Sequence, residues 1–388
     1  MVLLAGPLAA LSASSVASCA STETGDVRDK DASAVLQPPD AGSAIEDAGD
    51  AAAPCEAGDP SCVSEVLSCE QADFCPVPSP LDRRYGLTAI SGTGAADVWA
   101  VGSGGTILRW DGSAWKSVPS GTTETLHVVW ASGPSDVWVA GSTATILRGP
   151  QWTPQPVFTT GTAYHGRVHA LWGTSATDVR AGGQPFMQFD DTSSTTGNLL
   201  FRADGGWDVK EGLDGKYGQA TINAIWGSSA NDVWIAIDDG QQQPWARGTL
   251  VHGTSSAPGG PLAWTSIDSQ SAQPFEAIWG SSAADVWAVG LGGTVCRFSA
   301  GAATWTSIAV PTTQPLRGVW GTSASDLWVV GDAGTILHFD GTTWTHATVA
   351  FPLGRKPNLT GVWGSGPNDV WVVGDVYTLH FTGKKVSK

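Results

Sequence analysis

The sequence is poor in several things at once. Its 388 residues include 4 Tyr and 2 Met, and charged side chains make up only 14%. Basic residues are the scarcer sign, 20 Lys and Arg against 36 Asp and Glu, for a formal net charge of -16. No Lys/Arg cluster interrupts that balance, which argues against a nucleic-acid binder working by phosphate neutralisation. Beyond the N-terminus no run of 18 apolar residues occurs, which excludes a polytopic helical membrane protein. Gly, Ser, Thr and Trp outweigh Glu, Lys and Leu, which argues against long helices. The first 98 residues also lack tryptophan, although the chain has 20. All of them fall between Trp99 and Trp371. Two regimes therefore share the chain: a Trp-free leader and a Gly-rich, β-prone body.

The leader reads as an export and tethering device. Residues 2–11 are apolar, residues 12–18 are small, and Cys19 follows, which is a signal-peptide layout. Val16-Ala17-Ser18-Cys19 resembles a bacterial lipobox, and the resemblance implies cleavage before Cys19 and lipidation of its thiol. Acyl chains there would hold the protein on a membrane, each buried methylene contributing roughly 0.8 kcal/mol. Residues 20–80 carry 13 acidic side chains against Arg28 and Lys30, so most of the negative charge sits in this stretch. Its lack of hydrophobic periodicity describes a disordered, self-repelling spacer. Cys55, Cys62, Cys69 and Cys75 close it. In an exported chain four such cysteines form two disulfides in one of three pairings. A zinc site lacks the Cys-x-x-Cys spacing and a nearby His. The expected divisions are a signal peptide over 1–18, an acidic tether over 19–54, a Cys-rich segment over 55–80 and the body over 81–388.

The body repeats itself. The phrase Trp-Gly-(Ser/Thr)-Ser-x-x-Asp-Val-Trp-x-x-Gly recurs with anchor aspartates at Asp97, Asp136, Asp178, Asp232, Asp285, Asp326 and Asp369. Each repeat offers four short β-type segments, and Asp-Gly at 111–112 and 340–341 predicts a two-residue hairpin between the third and fourth. Four strands per 40-odd residues, seven times over, predict an all-β, seven-bladed β-propeller of four-stranded antiparallel blades. Eighteen of the 20 Trp occupy equivalent places on first, second or fourth strands, where blade packing accounts for them. The exceptions are Ser91 on a first strand, Arg180 on a second and Val386 where a last fourth strand is expected. The anchor aspartates are expected to fasten turns by accepting backbone N–H bonds. Cys296, in place of a third-strand Leu, is expected to fill apolar space.

These repeats, over residues 87–388, resemble the Trp-rich β-propeller repeats of Gram-negative lipoproteins. Phe339-Asp340-Gly341-Thr342-Thr343-Trp344 is more distantly similar to the Asp-box hairpin of sialidase-type propellers and to kelch repeats. The Asp-box spacing differs by one residue, and the kelch double glycine is missing.

Function should reside where the repeat breaks. The third repeat enlarges its second-to-third connection over residues 184–197, including Asp190 and Asp191, and the fourth does so with Asp238, Asp239 and Trp245. The connections leading into these repeats are also long, carrying Tyr164, His165 and Arg167, then Lys216 and Tyr217. Strand alternation places all four on one face, a candidate ligand surface to which Arg180 is added as the anomaly of the same blade. Arg180 has a structural alternative, pairing with a nearby carboxylate.

No His-Glu-x-x-His, Gly-x-Ser-x-Gly or phosphate-cradling loop occurs, and the body holds only Glu124, Glu211 and Glu276 as glutamates. The expectation is a non-catalytic binding or scaffold module of the cell envelope, monomeric, anchored through Cys19, with a protein or glycan ligand and no nucleic acid. No catalytic residue, cofactor or metal site is assigned, although Asp190/Asp191 or Asp238/Asp239 could take calcium. The alternative is a carbohydrate-active protein, either a lectin stacking sugars on Tyr217 and Trp245 or a sialidase-like glycoside hydrolase.

Overall fold

The computed structural model describes residues 59–155, 162–164, 166–189, 194–203, 206–210, 213, 220–238, 248–257 and 260–383. Within them seven antiparallel sheets follow one another around a closed ring, the first strand of each contacting the first strand of the next and the seventh returning to the first. The first blade runs Leu87–Gly94, Asp97–Gly102, Ile107–Trp110 and Trp115–Ser117, each strand paired with the next. The same order repeats through the blades whose first strands are Leu126–Gly133, Val168–Ser175, Thr221–Ser229, Phe275–Ser282, Leu316–Ser323 and Gly361–Gly366. The chain is a seven-bladed β-propeller.

Second strands such as Asp285–Gly290 are buried along their whole length. Both faces lie under neighbouring blades, so their sequence is a continuous apolar run and not an alternating one. Between blades the aromatic rings interlock. A fourth-strand Trp meets edge-on the second-strand Trp of the preceding blade, as Trp152 meets Trp99 at 5.4 Å and Trp305 meets Trp234 at 5.2 Å. The first-strand Trp covers the glycine of the next blade's Trp-Gly pair. A Cβ on Gly280 would stand 2.5 Å from the Trp226 ring, and one on Gly364 2.5 Å from Trp320. Blade two has Ala131 at this place. Its neighbour in blade one carries Ser91 there, so no ring claims the space.

The fourth strand of blade seven comes from the other end of the chain. Cys75–Pro76 pairs with Tyr377–Phe381, through Cys75 opposite His380. Phe74 is fully buried and meets Trp328 edge-on at 5.2 Å, in the place a fourth-strand Trp occupies elsewhere. The Cys-rich segment thus shares a sheet with the propeller, and Val386 lies outside the described residues. Cys62–Val63 adds a second seam by pairing with Gly354–Arg355. Cys69 and Cys75 form a disulfide and Cys62 is also disulfide-bonded. Cys55 and Cys19 lie outside the described residues. Cys296 is buried, with its thiol pushed up to about 11 by burial.

Two local expectations are corrected. The turn after the third strand spans four residues, 111–114, and not two. Asp111 Oδ1 accepts the backbone N–H groups of Ser113 and Ala114, and Gly112 alone takes positive φ. A carboxylate accepting both amides fixes the turn without the two positive-φ residues of a type I′ hairpin. The anchor aspartates, for their part, bind side chains. Asp97 accepts from the Thr93 hydroxyl, the Trp99 indole N–H at 3.1 Å and the Arg109 guanidinium at 3.0 Å. Asp285 does the same with Ser281, Trp287 and Arg297. In blades four, six and seven a histidine replaces the arginine and stacks on the Trp, His380 lying 3.8 Å from Trp371 and 2.6 Å from Asp369. One carboxylate oxygen reaches back across the turn to the hydroxyl four residues earlier and the other faces the third strand, so the turn is closed through a side chain and not through backbone N–H groups.

Candidate functional site

The first strand of each blade lines the central channel. In six of the seven blades it carries a β-bulge, a single unpaired residue just after the buried leading residue, as between Leu126 and Val128 or Phe275 and Ala277. A bulge bends the strand and re-aims its extra side chain. The bulged residues are Thr88, His127, His169, Asn223, Glu276 and Arg317, with Thr360 at the equivalent place in blade seven. These seven line one cavity of about 300 Å³.

The members fall into two groups. Thr88 donates to the Leu126 carbonyl at 2.6 Å, Asn223 to the Phe275 carbonyl at 3.0 Å and Thr360 to the Leu87 carbonyl at 2.9 Å. Each bond joins a blade to the next, so these three side chains hold the ring. The other four are titratable. Arg317 donates to Asp332 at 3.1 and 3.0 Å and lies 3.5 Å from Glu276. Burial raises the Glu276 carboxyl above its usual range against the pull of Arg317, and the charges of Asp238 and Asp332 push it the same way. Across the cavity the rings of His127 and His169 lie 5.3 Å apart. Burial lowers both imidazoles, with Arg167 adding to the effect, and His169 is brought down to about 4 with His127 contributing. His127 shares a hydrogen bond of 3.1 Å with the Ser142 hydroxyl. The mouth therefore has an imidazole–guanidinium side over blades two and three and a carboxylate side over blades four to six.

Of the residues expected from sequence, Arg167 and Asp238 stand near this mouth, close enough to act on the histidines and on Glu276 respectively. Tyr164 lies in an added strand, Thr162–Tyr164, that pairs with the prolonged second strand of blade three, Asp178–Phe189. That strand and Ser194–Ala203 extend as a hairpin beyond the blade, joining two of the four enlarged connections in one sheet. Arg180 lies near the start of its strand, at the end remote from the channel mouth. It donates to the Ala230 carbonyl at 2.8 Å, lies 3.5 Å from Asp178 and packs over the Trp172 and Phe201 rings. It packs within its own blade and ties it to the first turn of blade four. His165, Asp190, Asp191, Lys216, Tyr217, Asp239 and Trp245 lie outside the described residues.

Reading for Trp and for loop length missed the ring itself. The signal was present: one column of an otherwise repeating strand reads Thr, His, His, Asn, Glu, Arg, Thr. A larger recess of about 680 Å³ lies beside blade one between Leu81, Tyr85 and Pro119. Its acidic residues are Glu124 and Asp82, the latter engaged by Arg84 at 2.6 Å, and about half of its lining is Gly, Ser and Thr.

No protein-family model matches the chain, and no curated protein sequence does. The likeness is one of fold. YCF48 from Cyanidioschyzon merolae aligns with a TM-score of 0.60 at 16% identity, covering 80% of this chain and 99% of that one. A structure described as YCF48 bound to D1 peptide gives 0.57 at 13% identity, covering 82% and 99%. The WD40 propeller domain of Doa1 gives 0.59 at 12%, covering 81% and 98%. A streptogramin B lyase gives 0.55 at 14%, covering 81% and 95%.

Proposed function

We propose that this chain is an exported, lipid-anchored propeller that acts as a non-catalytic binding module at the cell envelope and holds its ligand at the mouth of the central channel. The observation that carries the reading is the bulge column. Three of its seven positions stitch blades together, while His127, His169, Glu276 and Arg317 present titratable groups to one cavity. A structurally similar propeller has been solved with a peptide bound, which supports a peptide or protein ligand. The disulfides at Cys62 and Cys69–Cys75 support an oxidising compartment. The lipobox-like residues before Cys19 support an anchor there.

The anchor is tested by acyl labelling in a bacterial host, which Cys19→Ala should abolish. The site is tested by screening the purified protein against peptide and glycan arrays, with and without calcium. Ligands found should be lost on combining His127→Gln, His169→Gln, Glu276→Gln and Arg317→Gln, with the melting temperature retained. A ligand that survives all four replacements overturns the site. A catalytic reading is favoured by one observation, the raised carboxyl of Glu276 beside Arg317, which suits a general acid. Glycan turnover abolished by Glu276→Gln would establish it in place of the binding role.

A further inference from the structure

Among the described histidines, His252, His338 and His380 each contact an anchor aspartate, at 3.3, 2.7 and 2.6 Å. His127 and His169 have no such carboxylate. The side chains touching them are each other and the Ser142 hydroxyl on His127, while Arg167, exposed two residues before His169, acts on both rings through its charge. Glu276 and Arg317 stand in the same cavity, but Arg317 lies 3.0 Å from Asp332 and 3.5 Å from Glu276. Glu124, in the connection before His127, lines the separate recess beside blade one. Two half-buried imidazoles thus share a wall near a guanidinium, and the carboxylate in their cavity, Glu276, is engaged by Arg317.

Resting on the channel mouth as the binding site, we propose that His127, His169 and Arg167 form an oxyanion site that takes up a proton as it binds, recognising a carboxylate, sulfate or phosphate group on the ligand. The physical argument is one of missing charge. Burial and the positive charge of Arg167 disfavour protonation of both rings when the site is empty, and an anion between them offsets the second effect, so each imidazolium gains a partner. Protonated rings then donate from both nitrogens, and Arg167 supplies a planar fork suited to two oxygens. A divalent cation suits the place poorly, because among the described residues the fixed charge that acts on both rings is the cation Arg167. A carboxylate and a tetrahedral anion share this chemistry.

Sulfate and acetate are the probes, titrated separately into the full-length protein while the histidine ring resonances are followed by NMR. Sulfate does not titrate between pH 5 and 8, so its apparent affinity should fall about tenfold per pH unit on raising pH, one proton being taken up. His169 should titrate well above 4 when sulfate is bound. His127→Gln and His169→Gln should each weaken binding at least tenfold at pH 5.5. Arg167→Gln, an exposed change that leaves both rings, should weaken it severalfold. His346→Gln, on the outer strand of blade six, should change nothing. Binding of sulfate alone or of both anions supports the site and names its preferred geometry. Affinity independent of pH, or unaltered in the two histidine variants, overturns it. So does a response of the same resonances to micromolar Zn²⁺ with none to anions, which would make the pair a metal site. If array ligands depend on Glu276 and Arg317 while anions do not bind, the mouth remains the binding site and the oxyanion assignment alone fails.

Discussion

At the scale of single residues, the same chemistry serves two ends according to what stands beside it. A histidine next to an anchor aspartate is part of the wall, and one facing another histidine is part of the cavity. His169 makes the difference measurable. Its folded value near 4 lies below the ordinary 6.5, so the unfolded chain binds the extra proton between those values. Its contribution to stability is therefore complete above about pH 6.5 and is lost as pH falls toward 4. His169→Gln should flatten that part of the stability profile by on the order of 1–2 kcal/mol, allowing for solvent screening of a half-buried ring. Denaturant unfolding from pH 4 to 7 reads this directly. Glu276 works in the opposite sense, because its raised carboxyl favours the folded state as pH falls. The anchor network offers a second prediction. Asp285→Ala strands the Trp287 indole and the Arg297 guanidinium together, and should cost about 2–3 kcal/mol. An unchanged denaturation midpoint would show that the network carries no net stability.

At the scale of the blade, blade three shows what a repeat tolerates. In blade one Trp99 on the second strand stands opposite Arg109 on the third, with the guanidinium over the ring. In blade three Arg180 stands on the second strand opposite Phe201 on the third, again with the guanidinium over the ring. The cation and the aromatic have changed strands. The anomaly visible in the sequence is thus half of a compensated pair, and Phe201 was the half that a count of tryptophans could not register. Arg180→Trp or Phe201→Arg alone should destabilise by about 2–3 kcal/mol, one crowding two aromatics and the other burying two cations. The double replacement should recover most of that loss, giving a coupling of 1 kcal/mol or more in a double-mutant cycle. Additive effects would mean that the two positions do not compensate.

At the scale of the whole molecule, much was legible because a repeat checks itself. Seven anchors 39 to 54 residues apart fixed the number of blades, and the Trp-Gly pairs marked most of the first strands. The closing strand was not legible, since Phe74-Cys75-Pro76 has neither Trp nor anchor and belongs to a segment read by its cysteines. The bulge column was hidden for a related reason. A bulge is a backbone event, and the sequence records only that one position follows no rule. Phe74→Ala should cost about 3–5 kcal/mol and lower the melting temperature of the whole propeller cooperatively, because the ring it removes fills the last gap between blades. A chain beginning at residue 81 should melt lower still. Wild-type melting of that shorter chain would show that the outer strand of blade seven is dispensable.

The closing strand also sets an order of events for the living chain. The Thr378 hydroxyl bonds the Val77 carbonyl, two residues 301 apart in sequence. A ribosome adding about 5–20 residues per second needs roughly 15–60 s to travel that distance. For most of that interval the segment at Phe74 is made but its partners, Trp328, residues 348–350 and finally Tyr377–Phe381, are not, and its apolar ring and open strand edge are available to any other chain. The last blade completed is the one whose outer strand is made first. Folding of this wheel is therefore committed only when synthesis, and any translocation, has delivered the final strand, and its rate of closure should depend on how well the waiting segment is kept from strangers.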